Sequence, residues 1–374
     1  MVVWIQNPFD NLPDEGFRKM RYYLMSEAFL RAGHDVVYWT ADFSHATKRK
    51  RSVAGRASSR FEIRLVDTPP YFRNVSMRRV ASHVVYARRW ARNAARAVAE
   101  GLPPPSLVIT SFPTISAASA ALGLARRLGA AVAVDVQDAW PETFERILPR
   151  WTLAPLRAKA RRVFAEADFV TGVCERYREL TGRDDYHRAY LGIEIGERPE
   201  PPHSRTGRRR IAYVGGMGRT YDLDTVRAAA ESLDMDLAIA GGDNYLGRAG
   251  LEAFLAGCDV GVVPMADDSW VGLPNKFFDY AKAGLPIVSS LGGETASLLG
   301  KYGCGATYRA GDATSLADAI GAALRCEPLA SRRMCEAEFD AASVYDAYVR
   351  FFGIMPRTGC SREASRRNAG DAAR

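Results

Sequence analysis

Two stretches of this sequence share one rhythm, short β-branched runs alternating with helix-length segments, and the stretch between them fits neither. The first reads VVWIQN (2–7), a helix near 18–32, DVVYWT (35–40), a helix near 77–99, LVITS (107–111), a helix near 114–128, AVAVDV (131–136), a helix near 153–166 and DFVTGV (168–173). Strands alternating with helices in this way run parallel, and the crossover helices cover both faces of the sheet. Between 194 and 209, Pro199, Pro201 and Pro202 sit among charges that cannot bury a core, so the segment reads as a linker. The rhythm then restarts with RIAYVGG (210–216), a helix at 222–233, MDLAIAGG (235–242), a helical stretch to 257, DVGVVPM (259–265), a helix at 275–284, LPIVSS (285–290), a short strand near 305–308 and a helix at 313–324.

The expected fold is α/β: two doubly wound, Rossmann-like domains, 1–193 and 210–330, facing a central cleft. A last helix, 331–352, is free to return to the first domain, and the small, polar and basic residues 353–374 read as a disordered tail. Ligands of open parallel sheets bind beyond the carboxyl ends of the strands, which places the expected site in the cleft.

Charge divides the halves unequally. The chain carries +8 overall, yet residues 1–134 hold 20 basic against 9 acidic side chains, whereas 201–350 hold 15 against 19. The first half is therefore expected to meet something anionic, a membrane surface or a nucleic acid. No apolar run approaches the ~20 residues that span a bilayer. The N-terminus lacks a basic leader with a cleavage site, and the six cysteines show no CxxC spacing, so a reduced cytoplasmic compartment without a metal site is expected.

Four segments carry possible chemistry. The loop Gly215-Gly216-Met217-Gly218-Arg219 leaves the first strand of the second half and enters a helix, either as a tight turn or as a cradle of backbone N–H groups for an anion. Asp222 and Asp224 beside it have metal-pair spacing, although Asp222 stands where a helix N-cap belongs. In GLPNKFFDYAKAGLPIVSS (272–290), Gly272, Leu273 and Pro274 form a loop. Asn275, Lys276 and Asp279 then open a helix, with Lys276 and Asp279 on one face. Such a lysine suits a pyrophosphate and such a carboxylate the vicinal hydroxyls of a ribose; a plain surface pair is the alternative.

In the first half, NLPDEG (11–16) with Arg18, Lys19 and Arg21, and DVQDAWPE (135–142), both follow strands and aim at the cleft, the latter offering Trp140 as a sugar platform or as a rim residue. Finally, Arg78, Arg89, Arg92 and Arg96 cluster on one side of the helix near 77–99, opposite Val80, Val84, Ala87, Ala91 and Val98. With Lys48, Arg49, Lys50, Arg51 and Arg56 they form a candidate anion-facing surface.

The second half, from YVGGMGRTYDLD through GLPNKFFDYAKAGLPIVSS to GGETASLLGKYGCG, resembles the donor domain of family-4 retaining GT-B glycosyltransferases. The first half agrees: TSFPTISAASA and VDVQDAWPE are similar to the branch that serves bacterial O-antigen and capsule assembly. The resemblance implies a nucleoside-diphosphate-sugar donor and no further cofactor. It implies phosphate contacts from Gly215, Gly216, Arg219 and Lys276, a base near Gly241, Gly242 and Asp243, a ribose on Asp279, closure of the Gly16 loop over the diphosphate, and Asp138 beside the transferred sugar. The family's paired glutamates are here Val271 and Asp279. The expected acceptor is lipid-linked, at the inner membrane face, with no nucleic acid partner. A nucleotide-sugar epimerase on the same fold and a basic nucleic-acid-binding protein are the rival readings.

Overall fold

Branched Cβ atoms crowd the preceding turn of a helix but fit a pleated surface, and runs of valine and isoleucine accordingly build both sheets. The computed structural model describes residues 1–15, 18–51, 55–73, 76–145, 148–199, 207–218, 220–241, 246–266 and 269–353. Its first half comprises β1 (Val2–Gln6), α1 (Arg21–Arg31), β2 (Asp35–Ala41), β3 (Gly55–Ser58), β4 (Phe61–Val66), α2 (Met77–Ala99), β5 (Leu107–Phe112), α3 (Ile115–Leu128), β6 (Ala131–Val136), α4 (Arg150–Glu166), β7 (Phe169–Gly172), α5 (Tyr177–Thr181) and β8 (His187–Arg188). The strand order is β3-β4-β2-β1-β5-β6-β7-β8, parallel except for β3. The β3–β4 pair lies in a stretch with no predicted element. β3 is short and polar, whereas β4 alternates Phe61, Ile63 and Leu65 with Glu62 and Arg64, a period-two pattern that the sequence does carry.

Alternation along the central strands sends side chains to two cores. Trp4, Trp39, Val108 and Val134 meet Tyr86 and Trp90 of α2 and the alanines of α3. Val3, Ile5, Tyr38 and Ile109 meet Tyr22, Met25 and Phe29 of α1.

The second half comprises β9 (Arg210–Val214), α6 (Leu223–Ser232), β10 (Asp236–Ala240), α7 (Arg248–Ala256), β11 (Val260–Val263), α8 (Asn275–Ala283), β12 (Ile287–Ser289), α9 (Gly293–Tyr302), β13 (Gly305–Thr307) and α10 (Ala313–Ala323). Its sheet is wholly parallel, ordered β10-β9-β11-β12-β13. Strand order reverses between β1 and β5 in the first sheet and between β9 and β11 in the second, and loops beyond those reversals form the crevices that ligands use.

The single last helix expected over 331–352 is two, α11 (Ala330–Glu338) and α12 (Ala341–Gly353). α11 packs on the second core through Met334 and Cys335, whereas α12 sends Tyr345, Tyr348 and Phe352 into the first, so the chain must turn between them. Asp340 accepts from the Ser343 N–H at 3.0 Å and starts the new helix. At this turn the chain's two crossings between halves are zipped together. Ile193 N donates to Phe339 O (2.8 Å) and Ala341 N to Ile193 O (3.0 Å). Gly192 lies so close to the Tyr345 ring that a Cβ would stand 2.7 Å from it, which is why a glycine occupies this position.

Beneath the cleft a buried ion pair fixes α1 to the first sheet. Arg21 donates twice to Asp135 (2.8 Å each) and once to Tyr190 O (2.8 Å), while Tyr22 and Thr171 donate to the same carboxylate. Those four donors hold the Asp135 carboxyl below the usual carboxylate range despite its burial. Arg21, expected among the cleft cations, is thus a strut of the core.

Candidate active site

Loops at the carboxyl ends of β9 and β10, together with α7 and α8, make one wall of a cavity of about 1530 Å³ between the halves. Gly215, Gly216 and Gly241 line it with Asn275 and Asp279, facing Asp10, Asn11, Arg18 and Lys19 of the first half and residues 191–199 at the crossing. Gly241 has φ 147°, and a Cβ there would stand 1.9 Å from Gly215 O. Only glycine allows two strand ends to touch in this way, and the contact holds the Gly215 loop against the cavity. Asp222 caps α6, accepting from Thr225 N at 3.1 Å. Arg219, Gly242, Asp243 and Gly16 lie outside the described residues.

Lys276 departs from its expected pose. It is 4% exposed, and its ammonium lies 3.6 Å from the Tyr221 ring centre and 4.9 Å from that of Tyr213, beneath Gly215 rather than open to the cleft. As the second residue of α8 it points back over the helix N-terminus, where the two tyrosines close around it. Burial lowers its pKa to about 7, with Asp279 opposing the shift. The ammonium lies directly against Gly215, where a Cβ would fall 3.3 Å from Nζ.

Asp279 stands on the cavity wall one turn on, its pKa raised by burial and countered first by Arg18. Arg18 reaches it across the cleft at 3.5 Å, a link between the halves that sequence reading missed although both residues were singled out. The neighbouring loop supplies structure more than contact surface. Leu273 is buried in the second core, Pro274 stands at the N-cap position of α8 without a capping hydrogen bond, and Gly272 O accepts from Thr295 while its Cα sits against Cys174.

On the first half, Asp138 ends the loop after β6. It accepts from Ala139 N (2.8 Å), Thr143 Oγ1 (3.3 Å) and Trp140 Nε1 (3.1 Å), and so orients the Trp140 ring. Burial raises its pKa.

The candidate cationic surface needs correction. Arg51 is buried, donating to Thr40 Oγ1 and Asp10 O and pairing with Glu15 at 3.0 Å. Lys50 bridges Asp42 and Asp67, and Arg89 pairs with Asp67, so acids do interleave with these cations. Lys48 lies over the Tyr71 ring. Arg49, Arg78, Arg92 and Arg96 remain exposed, and the side chain of Arg56 lies outside the description. The buried face of α2 is also rotated from the expected one. His83, Tyr86, Ala87, Trp90, Ala94 and Ala97 face inward; of the expected face Ala87 is buried, Val84, Ala91 and Val98 are half-buried and Val80 faces solvent, because the large Tyr86 and Trp90 rings decide which side the sheet accepts.

Among the described residues no group of three or more His, Cys, Asp or Glu side chains is placed to hold a metal, and no helix is long and apolar enough to cross a membrane. No curated protein sequence matches the chain significantly. Residues 208–326 match the family described as Glycosyl transferases group 1. Among solved structures, sucrose-phosphate synthase from Thermosynechococcus elongatus superposes with a TM-score of 0.69 at 12% identity, over 95% of this chain and 100% of that one. Anabaena HepE in complex with UDP and glucose gives 0.62 at 10% identity (94% and 99%), and a glycosyltransferase from Rickettsia africae 0.59 at 9% (96% and 99%). Residues 208–326 thus resemble the glycosyl transferases group 1 family, and the chain as a whole has the two-domain GT-B fold.

Proposed function

We propose that this protein is a glycosyltransferase that moves a sugar from a nucleoside-diphosphate sugar to an acceptor hydroxyl, with retention of configuration. The observation that carries the reading is the convergence of the Gly215–Gly216 backbone and Asp279 on one wall of the cleft cavity, with the Lys276 ammonium buried directly against Gly215. Breaking the glycosidic bond leaves charge on the β-phosphate. In a buried site a nearby ammonium and fixed N–H dipoles stabilise that charge more than water would. Lys276 with the Gly215 loop supplies this, joined by Arg219, while Asp279 receives the ribose and Gly242 and Asp243 the base. The chain's own cations carry this role in the proposal, with no metal or further cofactor. HepE, of the same fold, was crystallised with UDP and glucose, which fits a uridine donor here.

The acceptor is proposed to be lipid-linked and met at the cytoplasmic face of an anionic membrane, in cell-surface polysaccharide or glycoconjugate assembly. Arg78, Arg92 and Arg96 are exposed on α2. Apolar side chains stand in water at its start and at the start of α4, with Met77 80% and Trp151 77% exposed. Cations around exposed apolar side chains suit a membrane interface.

Titration with a panel of nucleoside diphosphates, read by thermal stabilisation, tests the donor reading; no stabilisation by any of them refutes it. Sedimentation with anionic vesicles, compared with a variant neutral at Arg78, Arg92 and Arg96 and polar at Met77 and Trp151, tests the membrane face. Equal sedimentation of both refutes it.

A further inference from the structure

A second group of side chains gathers on the cleft side of the first half, from loops beyond the carboxyl ends of β1, β2, β4 and β6 and from the first turns of α2. His45 Nδ1 lies 2.6 Å from the Tyr71 hydroxyl and 3.4 Å from Lys48 Nζ, and Arg79 Nε donates to His83 Nε2 at 3.4 Å. Two cations share one ring: Lys48 Nζ is 4.9 Å and the Arg79 guanidinium 5.9 Å from the centre of Tyr71. Arg79 also covers Trp140 at 5.1 Å and Phe9 at 5.6 Å. Lys48 is held with φ 57°, a conformation uncommon for a lysine.

Like charges brought together in a partly desolvated aromatic setting repel, and the repulsion shows in the neighbours. Burial first, then Lys48 and Arg79, lower His45 to about 4; burial, Arg79 and His45 lower His83 to about 3. Both imidazoles are neutral at physiological pH and each can offer one N–H. Asp138, whose carboxylate feels Arg79, accepts from its own loop and from Trp140. An anion entering here would relieve the repulsion and meet a guanidinium, an ammonium and neutral donors fixed by rings.

We propose that this cluster binds the acceptor through an anionic group, phosphate or carboxylate, that the acceptor carries near its receiving hydroxyl. The assignment of that ligand as the acceptor rests on the glycosyltransferase reading, since the donor groups occupy the opposite half.

The test is calorimetric titration of the full chain and of its Arg79→Gln, Lys48→Gln and Lys276→Ala variants with glucose 1-phosphate, glucuronate, glucose and UDP. Glucose 1-phosphate or glucuronate is expected to bind the parent and Lys276→Ala alike, and about tenfold or more weaker to Arg79→Gln and Lys48→Gln. Whichever of the two binds tighter names the group. Lys48→Gln, on a surface loop, keeps the result interpretable if Arg79→Gln does not fold. Binding of the anionic sugars that survives both substitutions, equal binding of neutral glucose, or no binding to the parent overturns the proposal. UDP binding that ignores Lys276 overturns the donor reading instead, and leaves an Arg79-dependent anion site standing.

Discussion

Lys276 sets stability against function in a way that can be measured. Its pKa falls from 10.5 to about 7 on folding, so below pH 7 the native state carries a charge that it holds about 5 kcal/mol less favourably than the unfolded chain does. The Tyr221 ring 3.6 Å away returns roughly 2 kcal/mol by cation–π attraction, leaving a net burden of about 3 kcal/mol. Lys276→Met keeps the unbranched stem between Tyr213 and Tyr221 and removes the charge. The sign follows from the lowered pKa: the burden is fully present below pH 7 and fades as pH rises toward 10.5, where the unfolded lysine also loses its proton. Thermal unfolding near pH 6.5 should therefore show the variant more stable by about 6 °C or more, with the gap shrinking to a few degrees near pH 9.5.

Nucleoside diphosphate affinity should move the other way, about 10- to 100-fold weaker in the variant near pH 6.5. In the parent it should decline about tenfold per pH unit above 7, because binding must then take up a proton. A variant less stable than the parent near pH 6.5, or a stability gap indifferent to pH, would refute the argument.

Three further outcomes are expected. Gly241→Ala must force the Gly215 loop away from a backbone oxygen 1.9 Å from the new Cβ, and calorimetry should show nucleoside diphosphate binding weakened tenfold or more, corresponding to strain of roughly 2 kcal/mol. Arg18→Ala frees Asp279 from a partly exposed pair of the kind worth about 1 kcal/mol at most, so affinity should rise by up to about fivefold; a loss would make Arg18 a ligand of the nucleotide. Arg21→Met strands the buried Asp135 carboxylate and should destabilise the first half by about 3–5 kcal/mol in denaturant unfolding, with Arg21→Met/Asp135→Leu recovering most of the loss.

The parallel core was readable because its strands are continuous apolar runs and its crossover helices are long, and both signals survive without knowledge of neighbours. β3 and α9 were not, since Gly55–Ser58 and Gly293–Tyr302 carry little periodic apolar pattern and are shaped by what they pack on, whereas β4 does alternate, Phe61, Ile63 and Leu65 against Glu62 and Arg64. The cavity wall was legible in part: the glycines after β9 and, from the 272–279 segment, Asn275 and Asp279 line one cavity, yet the position of Lys276 depended on Tyr213 and Tyr221, whose rings no local spacing relates to it. Residue type also misled at Arg21 and Arg51. A basic side chain near a cleft can be a ligand or a buried strut, and partners as distant in sequence as Asp135 and Asp10 decide which. The Arg79–His45–His83 cluster left no motif, since His45 comes from the loop after β2 and Arg79 and His83 from the first turns of α2.

The zipped crossing at Ile193 and Asp340 orders events during synthesis. Tyr345, Tyr348 and Phe352 complete the packing around Phe29 and the Arg21–Asp135 pair, so the half of the protein made first stays unfinished until α12 leaves the ribosome. The later half encloses its core with elements made before α12. A chain that stops short of residue 341 should therefore fail at its beginning, with early protease cuts falling in α1 and its surroundings.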